Sequence, residues 1–114
     1  MPPSVEDRLL DILEAIAEIE STLAGKTREQ FLSERPIRLI TERLLEIVCE
    51  ASRKLPEDIK QLDPSIPWRE IIDFGNLLRH AYHSTKANIV WDIVQNDLPA
   101  LKAFAESRNN AGKD

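Results

Sequence analysis

The feature that most constrains this chain is the spacing of its apolar residues. Near the amino terminus they recur in steps of four and three residues, at Val5, Leu9, Ile12, Ile16, Ile19 and Leu23. This period puts the apolar side chains on one face of an α-helix, whereas a half-buried strand would alternate at every second residue. The segment is therefore predicted to be an amphipathic helix that packs against other helices.

Local signals delimit the next helices. Ser4 can cap the first helix, Gly25 can adopt the left-handed conformation that ends it, and Thr27 begins a capping-box pattern. Because proline suits the first turn of a helix but not its interior, Pro36 predicts a short turn over 28–34 and then a long helix from about 36 to 54. The core face of that long helix is predicted to be Ile37, Ile40, Leu44, Ile47, Ala51 and Leu55.

Prolines at 56, 64 and 67 leave room for at most a short helical turn before Trp68. A third main helix is predicted from Pro67 to about His83. A fourth covers 89–94 and continues or restarts at Asp97, and the tail 107–114 is expected to be frayed. The predicted fold is all-α, an up-and-down bundle of about four main helices that forms one domain over residues 1–114.

Composition narrows the possible functions. The chain has 114 residues and a single cysteine, so an intramolecular disulfide is impossible and a reducing cytoplasm is the expected location. It has no apolar run of membrane-spanning length, and we expect no signal peptide and no membrane contact. With only three glycines it cannot form a Gly-rich phosphate loop, and no cofactor is expected.

The net charge of −5 is concentrated at the amino terminus. Six acidic residues and one arginine lie within residues 1–24, namely Glu6, Asp7, Asp11, Glu14, Glu18, Glu20 and Arg8. The remainder is balanced, with 14 basic and 14 acidic residues. A local basic patch that binds a polyanion is therefore permitted, although composition does not indicate one.

The third helix carries the residues most able to do chemistry. Its core face is predicted to be Ile71, Phe74, Leu77, Leu78 and Ala81. The opposite side is a polar strip that consists of Arg69, Asp73, Asn76, Arg79, His80 and His83. Histidine can accept and return a proton near neutral pH, so this strip could be catalytic, although a solvated helix face has the same pattern.

Three neighbouring residues bear on that choice. Gly75 in mid-helix is costly, which indicates that a partner helix or a nucleotide approaches the backbone there. Tyr82 lies beside the polar strip, either as a modifiable phenol or as an aromatic at the bundle edge. Cys49 is expected to be a buried structural thiol. No metal site is expected, because His80 and His83 lack the spacing and carboxylate of a known zinc motif.

The stretch SIPWREIIDFGNLLRHAYHSTKANIVWDIVQNDLPAL, residues 65–101, resembles the HepT-like branch of the HEPN superfamily. The upstream stretch FLSERPIRLITERLLEIVCEASRKLP resembles the second and third helices of that family, so the likeness spans residues 5–105. The family signature is Arg-Asn-x-x-x-His-x-Tyr. Asn76, His80 and Tyr82 match it, whereas Gly75 stands in the arginine position and Arg79 precedes the histidine.

The resemblance implies a metal-independent endoribonuclease toxin that works as a homodimer with one RNA cleft. A minimal nucleotidyltransferase would be the antitoxin and would attach adenylate to Tyr82. His80 would be the acid or base of a transesterification, and Arg79 would stabilise the charged phosphorane. Asn76, together with His83, Asp73 and Arg69, would bind or orient the RNA.

Two further interpretations stay open. The first is a catalytically inactive HEPN domain that binds a nucleotide or the partner transferase, which the glycine at position 75 favours. The second is a helical dimerisation module without a ligand. Toxicity that depends on His80, binding without cleavage, or neither would distinguish the three.

Overall fold

The computed structural model describes residues 3–80 and 87–111 and has seven helices in that part of the chain. They are α1 Val5–Leu23, α2 Arg28–Ser33, α3 Arg35–Arg53, α4 Glu57–Lys60, α5 Trp68–His80, α6 Ala87–Asn96 and α7 Leu98–Ala111. The predicted all-α architecture is confirmed. None of these helices combines the length and the apolar character needed to cross a lipid bilayer.

The predicted helix boundaries at the amino-terminal end are confirmed. Ser4 accepts a hydrogen bond from the backbone N–H of Asp7, and the Asp7 carboxylate accepts one from the Ser4 N–H, which completes a capping box. The same reciprocal pair joins Thr27 and Gln30 at the start of α2. Gly25 lies between the two helices with φ +74°, the left-handed conformation that glycine adopts at little cost.

Four long helices form the body of the bundle. Helix α3 packs against α1 on one side and against α5 on the other, and α1 also packs against α7. The shorter α6 contacts α7, α2 and α3. The largest fully buried side chains come from α1, α2, α3, α5, α6 and α7 and form one core, and they include Leu9, Ile12, Ile16, Ile19, Phe31, Leu45, Ile71, Val90 and Leu101.

The core face predicted for α3 is confirmed in part, since Ala51 and Leu55 are buried and Ile37, Leu44 and Ile47 pack against the core. The buried stripe is Thr41, Leu45, Val48, Cys49, Ala51 and Ser52, whereas Ile40 is 50% exposed. Two residues of this stripe carry hydroxyl groups, so a search for apolar residues does not find them. They can be buried because each hydroxyl donates a hydrogen bond to a backbone carbonyl of its own helix. Thr41 donates to Ile37 and Ser52 to Val48, both at 2.8 Å.

The core face of α5 also differs from the prediction. Ile71 and Phe74 are buried as predicted, but Leu77 is 52% exposed and Gly75 is buried instead. Helix α5 is turned so that its glycine faces α3. A Cβ placed on Gly75 would lie 2.5 Å from the Cβ of Cys49, so only glycine permits this approach. Of the two partners that Gly75 suggested, the structure contains the partner helix.

The first turn of α5 is fixed by its tryptophan. The indole N–H of Trp68 donates to the Asp63 carbonyl at 3.1 Å, and the ring meets Phe104 of α7 edge-on with centroids 5.1 Å apart. The loop before α5 contains only α4, as its three prolines predicted. These contacts hold the start of α5 against α7.

Helices α6 and α7 are separate, with a break at Asp97. The second of the two predicted alternatives, a restart at Asp97, is therefore observed. Helix α7 continues to Ala111, so the helical part of the chain extends beyond residue 107, where the tail was expected to begin.

Candidate functional site

The polar strip lies along α5, and its described members are exposed. Arg69 and Asp73 form a solvent-exposed ion pair near the start of the helix, with 4.0 Å between nitrogen and oxygen. Asn76, Arg79 and His80 follow over its last turns. Tyr82 and His83, which were also predicted to be functional, lie outside the described residues.

Part of the polar strip lines an open surface depression of about 400 Å³. Its lining consists of Asp73, Asn76, Leu77 and His80, and we call it the His80 depression. Three of the predicted site residues are thus brought together on one surface. Leu77 adds an apolar side chain to the lining of the depression, although the sequence predicted that it belongs to the core face of α5.

Arg79 lies on the side of α5 that faces α3. Its guanidinium donates to the carboxylate of Glu50 on α3, with Nη1 3.2 Å from Oε2, and it also donates to Oδ1 of Asn76. It does not line the His80 depression. The ion pair between Arg69 and Asp73 lies outside this hydrogen-bond network, although Asp73 shares the His80 depression with Asn76.

Glu50 is the centre of a group of charges that the sequence did not reveal. We call it the Glu50 cluster, and it comprises Glu50, Arg53, Lys54 and Arg79. Arg53 donates to the Glu50 carboxylate at 2.6 and 3.2 Å, and Lys54 lies 3.6 Å away. The hydrogen bond from Arg53, followed by the charges of the three cations, lowers the pKa of Glu50 to about 2. The carboxylate is therefore ionised at neutral pH.

A second cavity of about 180 Å³ lies next to the Glu50 cluster, between α1, α3 and α5. One arginine comes from each helix, namely Arg8, Arg43 and Arg79, and the acidic groups Asp11, Glu46 and Glu50 line the same space. Three positive and three negative side chains therefore line it. This cavity is consequently no net basic patch.

The position that the family signature gives to arginine is part of the helix packing here. Gly75 is buried and is in contact with Cys49. Burial, with smaller contributions from Glu46 and Glu50, raises the pKa of the Cys49 thiol to about 12. The thiol is thus neutral, and the prediction that Cys49 is buried is confirmed.

Residues 3–80 and 87–111 contain no group of three His, Cys, Asp or Glu side chains arranged to hold a metal ion. The groups around His80 that could act on a substrate are the His80 imidazole, the Asn76 amide and the Arg79 guanidinium. An exposed imidazole can transfer protons, an amide can donate hydrogen bonds to a phosphate, and a guanidinium supplies positive charge.

Comparisons with known proteins show which family this chain resembles. The chain matches the family described as "Ribonuclease HepT-like" over residues 12–108. It is 40% identical to a protein of Thermococcus cleftensis named "Probable ribonuclease HepT", with 93% of this chain and 96% of the relative covered. It is 33% identical to "Putative RNase MJ1380" of Methanocaldococcus jannaschii, over 86% of this chain and 90% of the relative.

A third relative, "Putative RNase MJ1216" of the same organism, is 31% identical over 93% of this chain and 89% of its own length. No solved structure matches the chain significantly. The helical fold agrees with the resemblance seen in the sequence. The chain belongs to the HepT-like ribonuclease family of the HEPN superfamily.

Proposed function

We propose that the protein is a metal-independent endoribonuclease whose proton-transfer group is His80. The observation that carries this proposal is the His80 depression, where an exposed imidazole shares an open surface with an amide and a carboxylate. The family match, which spans residues 12–108, supports RNA as the substrate.

The proposed reaction is a transesterification within the RNA. The 2′-oxygen of the ribose forms a bond to phosphorus as its proton passes to a base, and the bond from phosphorus to the 5′-oxygen breaks as that oxygen receives a proton from an acid. His80 takes one of these roles. In a homodimer, His80 of the partner subunit takes the other, so that two imidazoles act on one phosphate.

Asn76 would bind the phosphate in this reaction, and Arg79 would support it from behind. The amide of Asn76 lines the His80 depression and can donate to a phosphate oxygen. Arg79 contributes positive charge from the adjacent side of α5, through its hydrogen bond to Asn76. Arg69 and Asp73 would contact the RNA from earlier turns of α5, and His83 would contact it as well.

The test is cleavage of single-stranded RNA by the purified protein in the presence of a chelator. His80→Ala should reduce the rate by about 10²–10⁴-fold, the usual contribution of a general acid or base. Gln95→Ala, an exposed position on α6, should leave the rate unchanged. Cleavage of a substrate with a 2′-deoxyribose at the scissile nucleotide, or full activity of His80→Ala, would contradict the proposal.

The proposed regulation places this chain in a toxin–antitoxin pair. A nucleotidyltransferase antitoxin would attach adenylate to Tyr82, two residues after His80. The added phosphate charge would repel RNA from the site. Co-expression with the transferase should add the mass of one adenylate, and Tyr82→Phe should prevent that addition and restore toxicity. Toxicity of the modified wild type would contradict this part.

A second function has one specific observation in its favour. Gly75 is packed on Cys49, so the signature position for arginine presents no cation to a substrate. This favours a HEPN domain that binds RNA, a nucleotide or its partner transferase without cleavage. Binding of the 2′-deoxy substrate with no cleavage of its ribose counterpart would establish this alternative.

A further inference from the structure

Arg79 is held by a residue that is distant in the sequence. Two of the cations around Glu50, Arg53 and Lys54, are three and four residues away on the same helix and need no tertiary structure to reach it. Arg79 is on α5, and its Nη1 lies 3.2 Å from the Glu50 carboxylate across the helix interface. This contact therefore determines where the Arg79 guanidinium lies.

The same guanidinium is bonded to the amide of Asn76. Arg79 donates to Oδ1 of Asn76 through its second terminal nitrogen. A side-chain amide has one carbonyl oxygen, which accepts, and one NH₂ group, which donates. Because Arg79 occupies the oxygen, the NH₂ group is left for another partner. Asn76 also lines the His80 depression, where an RNA phosphate would accept from it.

Close packing of α3 on α5 makes the connection possible. Gly75 and Cys49 are in contact, and the residues next to them in the sequence are Asn76 and Glu50. A larger residue at position 75 would separate the helices and lengthen the distance from Glu50 to Arg79. Gly75 therefore keeps α3 and α5 close enough for Glu50 to bond to Arg79.

We propose that Glu50 is a positioning residue of the site, which through Arg79 orients the Asn76 amide so that its NH₂ group donates to an RNA phosphate in the His80 depression. Glu50 does not touch the RNA. The inference rests on the proposed ribonuclease function and deepens it. Its observational basis is one chain of contacts, from Glu50 to Arg79 and from Arg79 to Asn76.

The experiment is a double-mutant cycle on RNA cleavage. Glu50→Gln keeps the shape of the side chain and removes its charge, and we expect kcat/KM to fall about tenfold, as for loss of a charged hydrogen bond. Asn76→Ala should cost a similar factor. The double variant should be no slower than Asn76→Ala alone, because Glu50 acts only through the amide. Glu50→Asp, which keeps the charge, should recover part of the activity.

Glu46→Gln is the matched control. Glu46 is one turn earlier on α3 and pairs with Arg43 at 3.5 Å, so the substitution removes an ion pair of the same kind and leaves the hydrogen bond from Arg79 to Glu50 in place. We expect it to retain wild-type kcat/KM. Thermal unfolding of each variant separates a loss of fold from a loss of orientation.

A second readout does not require activity. The side-chain NH₂ signals of Asn76, observed by NMR, should shift when a non-cleavable 2′-deoxy oligonucleotide binds to the wild type and to Glu46→Gln. In Glu50→Gln this shift should be lost. A shift as large as in the wild type would overturn the proposal, and so would additive effects of Glu50→Gln and Asn76→Ala on kcat/KM.

These outcomes separate the two proposals. If His80→Ala is inactive and Glu50→Gln is fully active, the ribonuclease assignment stands and the role of Glu50 is wrong. If the wild type cleaves no RNA, the ribonuclease assignment is wrong, and the NMR shift of Asn76 with the bound oligonucleotide decides the role of Glu50.

Discussion

The two sides of α5 differ in burial and in the contacts that their side chains make. On the side towards α3 and the core, Ile71, Phe74 and Gly75 are buried, and the shape of each is fixed by its neighbours. On the other side, Asp73 and His80 are exposed, and Asp73 forms a 4.0 Å ion pair with Arg69, which is exposed too. The residues of the first side are explained by packing, whereas those of the second are free to serve chemistry.

The boundary between these sides is narrow, and Asn76 and Arg79 lie on it. Both line the small space between α3 and α5, and Asn76 also lines the His80 depression. A substitution there can change the packing and the site together. Stability and activity must therefore be measured for the same variants, and three experiments test the difference between the two sides.

The largest difference in stability is expected between two neighbouring positions. Ile71→Ala should lower the free energy of unfolding by about 3 kcal/mol, because it leaves a cavity in the core. Asp73→Ala removes an exposed side chain whose ion pair with Arg69 is 4.0 Å long, and it should change stability by less than about 0.5 kcal/mol. Urea denaturation measures both. Equal losses would mean that the two sides do not differ as described.

Gly75→Ala tests the closeness of α3 and α5. Alanine is the better helix former by about 1 kcal/mol. Its Cβ would nevertheless meet the Cβ of Cys49 at 2.5 Å, and neither atom can move without its backbone. We expect a net loss of about 2 kcal/mol in the free energy of unfolding, as for an overpacked core.

The control for Gly75→Ala is the same substitution in a Cys49→Gly background. There the opposing Cβ is absent, so alanine at position 75 should stabilise the protein relative to Cys49→Gly alone. Stabilisation by Gly75→Ala in the wild type, measured in the same urea titration, would contradict the contact.

The smallest effect concerns the pH dependence contributed by Glu50. Its pKa is about 2 in the folded protein and near 4.5 when unperturbed. A depressed pKa stabilises the folded state fully above pH 4.5, and this stabilisation is lost as the pH falls towards 2. Because solvent screens the carboxylate, we expect a contribution below about 1 kcal/mol.

Comparison of the wild type with Glu50→Gln isolates that contribution. The difference in the free energy of unfolding should be constant from pH 7 to 5 and shrink below pH 4.5, and added salt should reduce it. A difference that grows on acidification would give the contribution the opposite sign.

The boundaries of the helices could be predicted because their signals are local. Ser4, Gly25 and Thr27 act on residues within three or four positions, and the structure has each feature where the sequence indicated it. Pro36 likewise lies in the first turn of α3. Such signals depend on backbone geometry and not on the neighbours that a helix acquires after folding.

The faces of the helices were harder to predict. Thr41 and Ser52 are polar by type but are buried, because each hydroxyl bonds to its own helix. Leu77 is apolar but half exposed, because Gly75 rotates α5 towards α3. An apolar period alone finds neither effect, since both depend on which surfaces are close enough to touch.

The candidate site was predicted in part. Asp73, Asn76 and His80 lie within eight residues of one helix, and helical geometry brings them together. Glu50 is 29 residues from Arg79, and only the packing of α3 on α5 makes them neighbours. Gly75 did signal a close approach, but a glycine carries no information about which helix approaches.

The contact between Gly75 and Cys49 also limits which residues position 75 can carry. An arginine there would have to displace α3, because even its Cβ would lie 2.5 Å from the Cβ of Cys49. Replacing Cys49 by glycine would remove that one contact but would empty part of the core. Any cation that this chain presents beside His80 therefore has to come from a position other than 75.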